Sequence, residues 1–218
     1  VDVRDGPVCE FLGPQLRIAT EHSGALDPFS VEEYQAAGGF EALRSCLSER
    51  APEQVIAEIK ASGLRGRGGA GFPTGRKWEL VRAQRAEPKY VVCNGDEGDP
   101  GAFMDRMILE SYPFRVLEGL AIATWAVGAH DAILYIRAEY PLAVQRIWEA
   151  IEACQERGIL GEDAMGSGYA LRMSIREGAG AFVCGEETAL IASMEGQRGM
   201  PRLRPPYPAE QGLWGQPT

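Results

Sequence analysis

From residue 89 to residue 195 the apolar positions arrive in alternating short and long blocks. Lys89-Tyr-Val-Val-Cys93 and Asp131-Ala-Ile-Leu-Tyr-Ile-Arg137 are brief and dense, as buried strands are, and Tyr169-Ala-Leu-Arg-Met-Ser-Ile175 alternates as a strand does. Longer stretches separate them. Phe114 to Gly128 reads as an apolar helix. Pro141 to Arg157 reads as an amphipathic one, with Val144, Ile147, Trp148 and Ile151 on one face and Gly158 ending it; Glu186 to Glu195 suits a final helix. Strands joined by single helical crossovers predict an α/β fold, a parallel sheet covered by helices on both faces.

The first sixty residues follow a different pattern. Residues 1–29 are punctuated by Gly6-Pro7, Gly13-Pro14 and Asp27-Pro28 around one strand-like run, Gln15-Leu-Arg-Ile-Ala19. Ser30, with Glu33 three residues on, predicts a reciprocally capped short helix. Pro52 opens another, with Val55, Ile56 and Ile59 on its apolar face and Gly63 as its stop. The expected division is a helical N-terminal segment over 1–60 and a binding domain over 61–218. The tail Pro201-Arg-Leu-Arg-Pro-Pro-Tyr-Pro208 is expected to lie extended over that domain.

Composition narrows the class. A hydrophobic share of 45% and a charged share of 24% in 218 residues are those of a soluble globular protein. A formal net charge of -9 with no basic stripe argues against nucleic acid. The longest apolar run, Leu120 to Gly128, is too short for a bilayer, and no signal peptide is visible, so the expected location is cytoplasmic, or the cytoplasmic face of the inner membrane through partner subunits. The absent starting Met suggests processing or excision from a longer chain. Cys9, Cys46, Cys93, Cys154 and Cys184 form no Cys-x-x-Cys pair and read as reduced, mostly buried thiols; His22 and His130 lack ligand spacing, so no metal site is expected.

Three loops carry candidate chemistry. Gly63 to Trp78 holds six glycines, three arginines and Lys77, which reads as an anion cradle for a phosphate-bearing cofactor, with a long flexible loop as the alternative. Gly66-Arg-Gly-Gly-Ala-Gly71 spells the dinucleotide fingerprint, but a helix precedes it where the fingerprint needs a strand. Gly75-Arg76-Lys77-Trp78 likewise fails as a P-loop. The second loop, Cys93-Asn-Gly-Asp-Glu-Gly-Asp-Pro-Gly-Ala-Phe103, follows a strand and gathers Asn94, Asp96, Glu97 and Asp99. These groups suit ligand hydroxyls and a polar ring edge; a divalent-metal loop and plain turn chemistry are the alternatives. The third, Gly178-Ala-Gly-Ala-Phe-Val-Cys-Gly-Glu-Glu-Thr188, ends in Gly185, Glu186 and Glu187, which are either a ligand wall or helix capping alone.

With these loops in order, and with Gly212-Leu-Trp-Gly-Gln-Pro-Thr218 after them, the chain resembles the FMN- and NADH-binding flavoprotein subunit of respiratory complex I. It resembles equally that subunit's soluble relatives, the diaphorase subunits of NAD-reducing hydrogenases and NAD-dependent formate dehydrogenases. The resemblance spans about residues 15–218. It implies a Rossmann-like sheet with a non-standard glycine-rich FMN loop. Gly66, Arg67, Gly68, Gly69 and Lys77 match residues of the FMN phosphate region, Asn94, Asp96 and Glu97 positions around the flavin, and Gly185, Glu186 and Glu187 the third loop. Phe72, Asp99, Glu187 and Tyr207 match positions toward NADH.

The implied activity is FMN-dependent NADH dehydrogenase or diaphorase, with hydride passing between the two cofactors and no catalytic side chain required. Electrons then leave through the iron–sulfur subunits of a larger complex. Asp99, Gly95 and Gly98 follow the soluble relatives; Phe182 replaces a common Tyr, and Leu80 stands where an aromatic contact for NADH can occur. The family's ubiquitin-like domain and its 4Fe-4S domain fall outside this sequence. An alternative implied by that difference is a catalytically silent flavin- or nucleotide-binding interaction domain.

Overall fold

The computed structural model describes residues 10–11, 13–22 and 24–218; Gly6-Pro7 and Cys9 lie outside the described residues. Ahead of the sheet come α1 (Val31–Ala36), α2 (Glu41–Glu49), α3 (Pro52–Ala61) and α4 (Thr74–Arg82). The Ser30 Oγ accepts from the Glu33 N–H at 3.1 Å, as expected. The Glu33 carboxylate instead accepts from the Asp27 N–H at 2.7 Å, so the cap is not reciprocal. Gly63, at φ 69°, closes the turn after α3. No strand forms over residues 15–19. Leu16 is 89% exposed, and the Ile18 and Ala19 carbonyls accept from the Arg115 guanidinium, so side chains rather than a ladder pin this segment.

The sheet has three parallel strands, β1 (Tyr90–Gly95), β2 (Asp131–Arg137) and β3 (Arg172–Gly178), in that order. The crossovers are α5 (Met104–Ser111) with α6 (Pro113–Val127), and then α7 (Pro141–Glu156). Strand β2 is central, and its alternation feeds two layers. Ala132, Leu134 and Ile136 pack into a core with Leu117 and Ala121 of α6 and Ile147 and Ile151 of α7. On the opposite face, Ile133 meets Ile191 and Tyr135 meets Leu190 of α8 (Glu187–Met194). A short α9 (Pro208–Gln211) follows near the end of the chain.

Two expectations shift. The third strand begins at Arg172 rather than Tyr169, because Leu171 exchanges both backbone hydrogen bonds with Gly161 (2.8 and 2.9 Å), which removes it from the ladder. Trp148 is 54% exposed; the buried stripe of α7 runs instead through Ala143, Ile147, Ala150, Ile151 and Cys154. Among the described residues no helix is long and apolar enough to cross a membrane.

Candidate functional site

In an open parallel sheet the loops after the strands' carboxyl ends line the ligand crevice. Here the second loop follows β1 at Gly95, the segment 138–140 follows β2, and the third loop follows β3 at Gly178. Two interactions join the three candidate loops. The Asn94 amide Nδ2 donates to the Gly185 carbonyl at 2.9 Å, tying second to third. The Lys77 ammonium donates to Glu187 at 3.1 Å, tying the base of the glycine loop to the start of α8.

The glycine loop stands on a short antiparallel neck. The Gly66 N–H donates to the Phe72 carbonyl and the Thr74 N–H to the Leu64 carbonyl, each at 2.9 Å. Above it Arg67, Gly68 and Gly69 are exposed, and Gly69 sits at φ 98°, a conformation that excludes side chains. A methyl group added at Gly68 or Gly69 would meet nothing within 4 Å. Packing within the chain therefore does not require a glycine at either position. Gly75 differs: a Cβ there would come within 2.7 Å of the Lys60 backbone nitrogen, so it serves the packing of α4 on α3.

Neighbouring carboxylates in the second loop have opposite surroundings. The Glu97 oxygens accept from the Asp105 and Arg106 N–H groups at 3.2 and 3.1 Å, capping α5 from a distance. Asp96 is 9% exposed, yet neither of its carboxylate oxygens has a hydrogen-bond partner among the described residues. Burial raises its pKa above the ordinary 3.8, against the opposing pull of Arg137 and with a further push from Glu139. A buried acceptor pair without donors costs stability, so the Asp96 oxygens are available to donors from outside the chain.

In the third loop Glu186 caps α8, accepting from the Thr188 and Ala189 N–H groups at 2.9 and 3.0 Å. Burial pushes its carboxyl up, but the hydrogen bonds from Thr188 and Ala189 and the nearby Arg204 outweigh it and leave the pKa lowered. Glu187 is held between two cations, Lys77 and Arg204, the latter at 2.5 Å. Phe72, Asp99 and Tyr207 are exposed. The Asp99 carbonyl closes a turn with the Ala102 N–H, and the Tyr207 N–H is capped by Glu210.

Sequence reasoning did not single out Arg204, which pairs with Glu187, or Arg137 and Tyr140, which both donate to the Glu97 carbonyl. The signal for Arg137 was its place at the carboxyl end of a strand, and for Arg204 its place beside prolines that fix the backbone. A separate cleft of about 370 Å³, lined by Glu21, Tyr34, Phe114, Arg115 and Glu118 among others, contains none of the candidate binding residues. No cluster of His, Cys, Asp and Glu side chains suited to a metal ion occurs among the described residues.

The family described as the Nuo51 FMN-binding domain matches residues 59–216. The chain is 53% identical over 204 residues to the NADP-reducing hydrogenase subunit HndC of Solidesulfovibrio fructosivorans, covering 94% of this chain and 41% of that protein. It is 50% identical over 189 residues to a subunit of NADH-quinone oxidoreductase in Aquifex aeolicus, covering 87% and 44%. Among solved structures it is similar to an NAD+-reducing [NiFe]-hydrogenase in the H2-reduced state, with a TM-score of 0.72 and 40% identity over 79% of this chain and 30% of that one. The chain thus spans less than half the length of these relatives.

Proposed function

The chain belongs to the Nuo51 FMN-binding family, and from that premise we propose that it holds FMN across its three loops and takes hydride from NADH. The electrons then pass to iron–sulfur centres of partner subunits in a larger complex. The observation that carries this reading is Asp96, whose two buried oxygens find no donor among the described residues. A polyhydroxylated, N–H-bearing cofactor supplies such donors. The open ground above Gly68 and Gly69 fits the same cofactor's phosphate, with the glycine-loop amides and Lys77 as its partners.

When bound, FMN supplies a hydride acceptor that releases electrons singly. The chain's part is placement. Gly66, Arg67, Gly68, Gly69 and Lys77 cradle the phosphate, and Asn94, Asp96 and Glu97 form one flank of the flavin. Gly185, Glu186 and Glu187 form the other. Asn94 acts by clamping the two flanks together, and Glu97 by ordering the loop through α5. Phe72, Asp99, Glu187 and Tyr207 face NADH. Because Lys77 and Arg204 bracket Glu187, a phosphate arriving at Lys77 leaves the carboxylate still neutralised by Arg204.

The purified protein, reconstituted with FMN, is expected to be yellow and to release the flavin on denaturation. NADH is expected to bleach it and to support ferricyanide reduction. A colourless protein that takes up no FMN would falsify the reading. Bound flavin that NADH leaves unchanged would reduce it to a binding domain.

A further inference from the structure

One carbonyl in the second loop is held more firmly than any turn requires. The Glu97 main-chain oxygen accepts both from Arg137 Nη1, at 2.8 Å, and from the Tyr140 hydroxyl, at 2.7 Å. Both donors lie just past the carboxyl end of the central strand: Arg137 ends β2 and Tyr140 precedes α7. The Tyr140 ring is itself buried, with the guanidinium groups of Arg106 and Arg137 at 5.4 and 5.5 Å from its centroid. Arg137 is further held by Glu139 at 2.9 Å. Its remaining Nε is buried and has no partner among the described residues, as is true of both oxygens of Asp96.

The loop is therefore gripped at Glu97 through both side chain and main chain. The Glu97 carboxylate fastens it to α5, and the Glu97 carbonyl fastens it to β2 and α7. The residue immediately before this grip is Asp96, which could relieve its unmatched oxygens by turning toward solvent if the main chain were free to move. Keeping them buried requires that the backbone be held by something else.

We propose that Arg137 and Tyr140 are positioning residues of the flavin site: by holding the Glu97 carbonyl between them they fix the main chain that presents Asp96 to the bound cofactor. The inference rests on the FMN reading above and assigns neither residue a contact with the reacting atoms. It predicts that a loss of a single hydroxyl, some distance from the ligand, is read in the ligand's binding.

Tyr140→Phe keeps the ring beside its two guanidinium groups and removes only the hydroxyl. Titrating FMN fluorescence with the full chain, this variant is expected to raise the dissociation constant about tenfold and to alter the visible circular dichroism of the bound flavin. Arg137→Lys, which keeps a cation, is expected to bind FMN better than Arg137→Ala. Tyr169→Phe is the control: it removes a hydroxyl that donates to the Ala129 carbonyl at 2.7 Å, ahead of β2 at the opposite, amino end of the strands. It is expected to leave FMN affinity unchanged while affecting thermal stability comparably. If Tyr140→Phe binds FMN like the unmodified chain, or if Tyr169→Phe weakens FMN equally, the positioning role is wrong although the flavin reading stands. An unmodified chain that binds no FMN overturns both.

Discussion

Asp96 and Glu97 are adjacent residues of nearly the same chemistry, and in the sequence nothing separates them. In the structure both Glu97 carboxylate oxygens accept from N–H groups of α5, while Asp96 is buried and its oxygens find no donor among the described residues. This difference has a thermodynamic consequence. The Asp96 pKa is raised in the folded chain above its ordinary 3.8. The charged form is therefore disfavoured by folding, a cost fully present at neutral pH that fades as pH falls through the raised value toward 3.8. Asp96→Asn is expected to stabilise the ligand-free protein at pH 7 by about 1 kcal/mol and to weaken FMN binding. The stability difference should shrink on acidification, measured by urea denaturation across pH. A variant less stable than the original at pH 7 would mean that Asp96 has a partner inside the chain. That three carboxylates gather in one strand-end loop was legible; which of them stays free was not, because that depends on donors from α5.

At the scale of elements the glycine segment splits into two parts with different work. Gly68 stands on the open tip of the loop, whereas Gly75 lies in the first turn of α4 against the backbone of Lys60. Gly75→Ala is expected to cost about 2 kcal/mol of stability, since the obstructing atoms include main chain. Gly68→Val is expected to change stability by less than about 0.5 kcal/mol while reducing FMN retention after gel filtration. Equal destabilisation by both would return the tip to a packing role. The sequence pattern identified most helices of the sheet layer because their apolar spacing is dictated by burial. It missed α2, α4, α5 and α9, which are short. The Glu118 carboxylate accepts from the Phe40 and Leu43 N–H groups at 2.9 and 3.2 Å, at the start of α2.

At the scale of the molecule, three loops separated by long stretches of chain converge through few direct ties. The Lys77–Glu187 pair is largely exposed and contributes little by itself. A ligand bridging all three loops should therefore act as a staple. FMN at about a hundred times its dissociation constant is expected to stabilise the fold by about 2.7 kcal/mol, raising Tm by about 8 °C in thermal denaturation with and without the cofactor. An unchanged Tm would mean that the loops do not share one ligand. The sequence by itself determined the parallel α/β order and the three loops, because periodicity and glycine spacing are local properties. Only the tertiary structure decided which groups within those loops stay free. That outcome depends on residues such as Arg137, Tyr140 and Arg204, which no local pattern connects to Asp96 or Glu187, and on the balance of donors and acceptors that exists only once the chain has closed.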